Sequence, residues 1–277
     1  MRIFRYRADI PAVLLVLGVL AAQLIIFFTV DSHWAAAGWV LLLSVAQVSA
    51  GAICHNHHHV NTFRPRWLNR LYECVFYLQT GTSPFSWTLH HNIGHHGHYL
   101  TPESDPSGWV HRDGRPMGRI YYCLYNTARV YPEIHRIGQR FPGLYGRFKR
   151  MFVLANLPLL AFAAVDPVRT LVVFVLPMIG QLLVLLDNTY GQHAGTDTRD
   201  HYHASRNVEL PLYNLTSWNL GYHTAHHLHP GVHWSQLPQL HRRIRHRIPD
   251  DLLLNTWLLQ WQPGREAREA GEVRESA

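Results

Sequence analysis

An all-α fold, four transmembrane helices joined to a cytoplasmic helical cap rich in histidine, is predicted by three features of this 277-residue chain. The apolar residues gather in four blocks, most of them near the length that crosses about 30 Å of hydrocarbon. The basic residues avoid the short turns inside each pair of blocks. The 22 histidines, roughly three times an average share, collect in stretches just outside the blocks.

Arg2, Arg5 and Arg7 precede the first block, residues 11–30, in which Gln23 is the one strongly polar side chain. It exceeds the roughly 7–15 residues of a cleaved signal core, and a second block follows at once, so it reads as a span. Asp31, Ser32 and His33 form a turn. Residues 34–54 are the second span, with Trp34 and Trp39 toward the outer end, where indoles favour the interface. This span runs directly into His55. Residues 55–150 are mostly polar. Within them 67–79 and 121–131 are amphipathic and suit either interfacial helices or ordinary soluble core, whereas 101–116, rich in Pro, Gly, Asp and Ser, is a loop. The third block, 151–165, is short and interrupted by Asn156 and Pro158. Asp166-Pro167 marks a turn, and the fourth block, 168–186, contains Pro177 and Gly180. Internal proline is tolerated in a span when neighbours satisfy the freed carbonyl. Beyond 187 the chain is polar and basic as far as Arg247, 251–262 is expected as another interfacial helix, and 263–277 as a disordered tail. One membrane-embedded domain is expected over residues 1–262.

Charge sets the expected orientation. Of 25 basic residues only Arg169 falls outside segments 1–9, 55–150 and 187–277. The positive-inside rule therefore places those segments, both termini among them, in the cytoplasm. Membrane-spanning blocks account for the basic balance better than nucleic-acid binding does. Three scattered cysteines without a CxxC pair argue against a disulfide framework.

Four stretches carry the histidines: Cys-His-Asn-His-His-His at 54–59, Leu-His-His-Asn-Ile-Gly-His-His-Gly-His at 89–98, Tyr-Gly-Gln-His at 190–193 and Tyr-His-Thr-Ala-His-His at 222–227. His55 and His59 are spaced i,i+4; His91, His95 and His96 i,i+4,i+5; His223, His226 and His227 i,i+3,i+4. Each spacing presents imidazoles on a shared helix face, and His91, His95 and His96 are expected to converge on one point. With His193 they make nine candidate metal ligands. A structural zinc needs about four ligands and a catalytic zinc about three, so nine point to two metals. His33, His111, His135, His241 and His246 read as ordinary surface or hydrogen-bonded side chains. His57, His58, His90, His98, His201, His203, His229 and His233 lie off the shared faces and read as supporting or surface groups.

These spacings, HX3H, HX3HH and HX2HH, resemble the three histidine boxes of the membrane fatty-acid desaturase and hydroxylase superfamily, of bacterial type. His193 is similar to the extra histidine that this superfamily places after its last span. The resemblance covers roughly residues 10–245. The segment His-Asn-Ile-Gly-His-His with the following Thr-Pro-Glu-Ser-Asp-Pro is similar to bacterial alkane monooxygenases. Asn-Leu-Gly-Tyr-His-Thr-Ala-His-His with the later His-Trp-Ser-Gln-Leu-Pro looks more like acyl-lipid desaturases. Asn56 stands where both groups often carry an acidic residue. The resemblance implies a di-iron centre held by His55, His59, His91, His95, His96, His193, His223, His226 and His227, using O2 to oxidise an unactivated C–H bond of an acyl or alkyl chain taken from the lipid bilayer. Desaturation is the expected outcome and hydroxylation the alternative. Asn188, Asn92 and Asn219 are candidates to orient ligands or hold a metal-bound water. With no donor domain in the sequence, a separate ferredoxin, rubredoxin or cytochrome-type electron carrier is implied, and the setting is a bacterial inner membrane. A zinc-dependent lipid hydrolase would need fewer ligands. A metal transporter would place ligands inside the spans, and these blocks contain no histidine.

Overall fold

The computed structural model describes residues 3–111 and 113–256. Its regular structure is almost all helix, and four helices among the described residues are long and apolar enough to cross a membrane: α1 (Asp9–Thr29), α2 (His33–His59), α6 (Pro142–Val165) and α7 (Pro167–His193). All four extend past the expected blocks. In α2 the helix continues through the first histidine stretch to His59, because helical hydrogen bonding does not stop where the side chains turn polar. Shorter helices lie between and after: α3 (Arg66–Thr80), α4 (π-helical at Thr88–His95 and α-helical at His96–His98), α5 (Arg119–Gly138), α8 (Pro211–Thr216), α9 (His223–Leu228) and α10 (Leu237–Ile244). The chain divides into two compact units. The first is formed by residues 1–93 and 129–185, the second by 94–128 and 186–277.

The first unit is built on two helical hairpins. Ser32 caps α2 by accepting from the Ala35 N–H, and Asp166 caps α7 by accepting from the Arg169 N–H, with Pro167 in the first turn. Arg169, the exception in the charge pattern, donates to the carbonyls of Phe27 and Asp31 at 2.8 and 3.0 Å, and His33 bonds Asp166 at 3.0 Å. Both hairpin turns are thereby tied together at one end. Between the helices Phe27, Phe162 and Phe174 pack with Ile26, Val40, Leu159 and Met178. Pro177 has no N–H to offer the carbonyl of Val173, four residues earlier. The helix widens into a π turn over Leu171–Val175 just before it, and the Gln23 amide nitrogen of α1 donates to that Val173 carbonyl at 3.0 Å. The one strongly polar side chain of the first span thus compensates the proline of the fourth.

The second unit carries the only strands among the described residues, β1 (Asn207–Val208) and β2 (Leu253–Leu254), which pair in parallel. This corrects the expectation of a helix at 251–262. Residues Asp250–Leu252 form a single 3-10 turn, and Leu253 and Leu254 satisfy their backbone by pairing instead. Residues 257–262 and the expected tail lie outside the described residues. Gly221 is required where this unit packs tightest: a Cβ there would stand 2.4 Å from the Val208 carbonyl oxygen and 2.5 Å from Asn214 Oδ1. The Val208 N–H donates to Gly221 O at 2.8 Å, so the start of the third histidine stretch is fixed against β1.

Candidate metal centre

In the second unit His95, His193, His223 and His227 are all buried, and one nitrogen from each lies within 4.8 Å of the others. They come from α4, the last residue of α7, and the first and fifth positions of α9. His193 Nε2 is 2.9 Å from His223 Nε2, which is 3.1 Å from His227 Nε2. The i,i+4 spacing of His223 and His227 on α9 brings those two rings together directly.

The tautomers show that the set suits a cation. His193 Nδ1 is 2.9 Å from the Ala204 carbonyl oxygen, an acceptor only, so Nδ1 carries the proton and Nε2 offers its lone pair inward. His95 Nδ1 is 2.7 Å from Asp105 Oδ2. Burial opposes ionisation of Asp105, but the His95 ring and the Ser107 N–H outweigh it and hold the carboxyl below its usual range. An ionised Asp105 makes Nδ1 the donor and turns the lone pair of Nε2 toward the set. Burial, and then the neighbouring rings of His96, His223, His193 and His95, push His227 well below the ordinary imidazole range. A buried set in which His193 and His227 are held neutral, and the Nε2 lone pairs of His95 and His193 face inward, fits a borderline transition-metal ion.

His96 and His226 adjoin this set in the same unit. Their Nε2 atoms are 3.1 Å apart, and the His96 ring stacks on His227 with centroids 4.3 Å apart. Tyr99 also packs against His227, centroids 4.2 Å apart, with its hydroxyl 2.5 Å from His201 Nδ1. Behind α9 the Asn207 carboxamide oxygen accepts from the Thr224 N–H at 3.0 Å while its nitrogen donates to Thr224 Oγ1 at 2.8 Å, so β1 sets the register of the third stretch.

In the first unit His55, His59 and His91 form a second group. Their ring centroids are 4.9 Å (His55–His59), 4.6 Å (His55–His91) and 5.1 Å (His59–His91) apart. The Trp87 ring packs on His91 at 4.5 Å and on His55 at 5.6 Å.

The expected convergence of His91, His95 and His96 on one point is corrected for His95, which stands with His193, His223 and His227, whereas His91 stands with His55 and His59. The physical reason is the π-helical run Thr88–His95. Its i→i+5 hydrogen bonds widen the turn to more than four residues, so His95, four residues on, falls short of a full turn from His91 instead of past it as in an α-helix.

The supporting asparagines bond to backbone and phenol groups. Asn92 Nδ2 donates to the His58 carbonyl at 3.0 Å, Asn219 Nδ2 to the Trp234 carbonyl at 3.2 Å, and Asn188 Oδ1 accepts from the Tyr213 hydroxyl at 3.3 Å. Asn219 and its neighbour Trp218 adopt left-handed backbone, φ 65° and 54°, a conformation costly for a side chain as large as Trp. Among the other histidines, His57 Nδ1 bonds Thr62 and its Nε2 faces the buried Glu73 at 3.4 Å, His58 bonds the Cys54 carbonyl, His98 the Gly94 carbonyl, and His241 bonds Glu209. The sequence reading missed Asp105, Tyr99 and Trp87. Asp105 sits in the Ser-Asp-Pro run that reads as loop and as part of the alkane-monooxygenase-like segment, with no role given to its carboxyl; the signal was an acidic side chain ten residues after a candidate ligand.

The family model described as fatty acid desaturase matches residues 32–257 of the chain. No curated protein sequence matches it.

Proposed function

The chain belongs to the fatty acid desaturase family, a family of oxidoreductases, and we propose that it oxidises an unactivated C–H bond of an acyl or lipid chain with O2 and two histidine-held iron ions, with desaturation as the outcome. The observation that carries this reading is the buried set of His95, His193, His223 and His227. We assign one iron to these four, because three to four donors suffice for one ion, and the second to the group of His55, His59 and His91 in the first unit.

Iron supplies the redox steps and open coordination positions that O2 chemistry requires. The chain's own residues do the rest. Asp105 and the Ala204 carbonyl fix the ring orientation of His95 and His193. Burial keeps His193 and His227 neutral and excludes bulk water from a site where stray reductants and protons would divert the reaction. The four apolar helices hold the site at a membrane, from which an apolar chain can enter. We further propose that the histidine-bearing segments and both termini face the cytoplasm of a bacterial inner membrane, and that a separate ferredoxin, rubredoxin or cytochrome-type carrier delivers electrons to this basic face by electrostatic steering.

Hydroxylation is the second reading, favoured by the segment from His91 to Pro106, which contains Asp105 and is similar to alkane monooxygenases. Metal analysis, reductant-linked O2 uptake and mass spectrometry of lipids from cells with and without the protein separate the outcomes. Two irons per chain and loss of two hydrogens from a lipid support desaturation. Gain of one oxygen selects hydroxylation. One zinc with activity independent of O2 overturns both.

A further inference from the structure

Buried glutamines occur at four places in the first unit, and they are not alike. Gln23 and Gln79 each donate through Nε2 to a backbone carbonyl, Val173 at 3.0 Å and Val16 at 2.8 Å. Gln47, within the spanning helix α2, is fully buried (0% exposed), and neither its Nε2 nor its Oε1 has a hydrogen-bond partner. Gln181 of α7 is likewise buried, with Oε1 unpartnered. That oxygen lies against Gly51, 3.4 Å from where a Cβ would stand. Gly51 is one turn beyond Gln47 on α2 and His55 is one turn beyond Gly51, so the three share a helix face. Successive turns therefore present an amide, bare backbone and a candidate metal ligand, with a second amide across from the middle one.

An amide without a partner in an apolar interior is costly. Polar groups kept inside spans despite that cost are the ones with a functional use. A carboxamide offers both a donor and an acceptor, so the pair can satisfy a hydroxyl or a carbonyl equally.

We propose that Gln47 and Gln181 bind an oxygen function, a hydroxyl or carbonyl, carried within the apolar chain of the substrate. The eight residues from Gln47 to His55 place that oxygen about 12 Å along α2 from the histidine group, at 1.5 Å per residue. The substrate is then an oxygenated chain and not a plain saturated one. This rests on the oxidase reading above and narrows its substrate class.

The test uses the full-length, iron-loaded protein in detergent, kept anaerobic, with calorimetric titration of hexadecanoic acid and of hexadecanoic acids bearing a hydroxyl or keto group at successive chain positions. A restricted run of positions is expected to bind about tenfold tighter than the plain acid, the gain of a satisfied buried hydrogen bond. Gln47→Leu and Gln181→Leu should each remove most of that preference. Gln47→Leu should also raise Tm by a few degrees, since it deletes an unpartnered buried amide. Equal binding of all probes by the parent protein overturns the proposal, and this comparison needs no variant to fold. Preference retained in both leucine variants, or a fall in Tm for Gln47→Leu, overturns it as well. Iron content and O2-dependent oxidation are measured on the same preparation. Their absence counts against the oxidase reading, whereas their presence without any preference among probes counts against this inference alone.

Discussion

The two histidine groups are held in different ways. In the second unit the rings are anchored through hydrogen bonds: His95 to the Asp105 carboxylate, His193 to the Ala204 carbonyl, and α9 to β1 through Asn207 and Thr224. In the first unit His55 and His91 lean on the Trp87 ring, His59 packs against both of those imidazoles, and the nearby asparagine Asn92 bonds the backbone of His58. Hydrogen bonds to the far ring nitrogen select the tautomer and the basicity of a ligand; packing selects only its position. The bonds to Asp105 and Ala204 thus set the tautomers of His95 and His193, while the Trp87 ring sets where His55 and His91 stand, and four measurements can break or sharpen that contrast.

The largest expected effect is from His223→Ala. It removes the ring whose Nε2 lies near both His193 and His227, and is expected to lose one of two irons by metal analysis with complete loss of turnover. Retention of both ions would dissolve the four-histidine set as a site. Next, Asp105→Asn leaves the ligand count intact but weakens the hold on the His95 tautomer. Its iron affinity, measured by competition with a chelator, should fall by roughly 10–100-fold, with far-ultraviolet circular dichroism unchanged. Trp87→Phe keeps an aromatic surface under His91 and His55 and should cost only a few-fold in the same competition. A loss as large as that of Asp105→Asn would show that the two groups are preorganised alike.

The smallest effect concerns the frame behind α9. Arg245 first, and then His241, hold the Glu209 carboxyl below its usual range. A depressed folded-state pKa contributes stability that is fully present above the unfolded value of about 4.3 and is lost as pH falls through the lower folded value. Glu209→Gln should therefore destabilise the protein at neutral pH, by less than about 1 kcal/mol because the pair is partly solvated. The difference from the parent, followed by thermal unfolding, should shrink in acid; a constant difference across pH would exclude the ionised pair as its source.

What could be read from the sequence follows the range of the interaction that decides each feature. The spans were legible because hydropathy and length act locally, and Asp166-Pro167 marked its turn through capping chemistry alone. The pairing of His223 with His227 and of His55 with His59 was legible because an α-helix has a fixed period. His91 and His95 went to different groups because a π-helical run replaced that period, and no residue between them announces it. Asp105 reaches His95 through a folded loop, and Leu253–Leu254 pair with residues more than forty positions earlier. Both depend on contacts that a one-dimensional pattern does not encode, so a helix was expected at 251–262 where a short strand formed.

The bond from Gln23 to the Val173 carbonyl carries a consequence for assembly in time. Until the second hairpin packs against the first, α1 holds an amide in hydrocarbon with nothing to donate to, and α7 holds a carbonyl that its own proline cannot serve. Each hairpin enters the membrane with a deficit that only the other relieves. Replacing Pro177 alone would leave Gln23 with a competitor for its acceptor, and replacing Gln23 alone would strand the carbonyl, so the two positions are constrained as a pair although the chain places them in its first and fourth membrane helices.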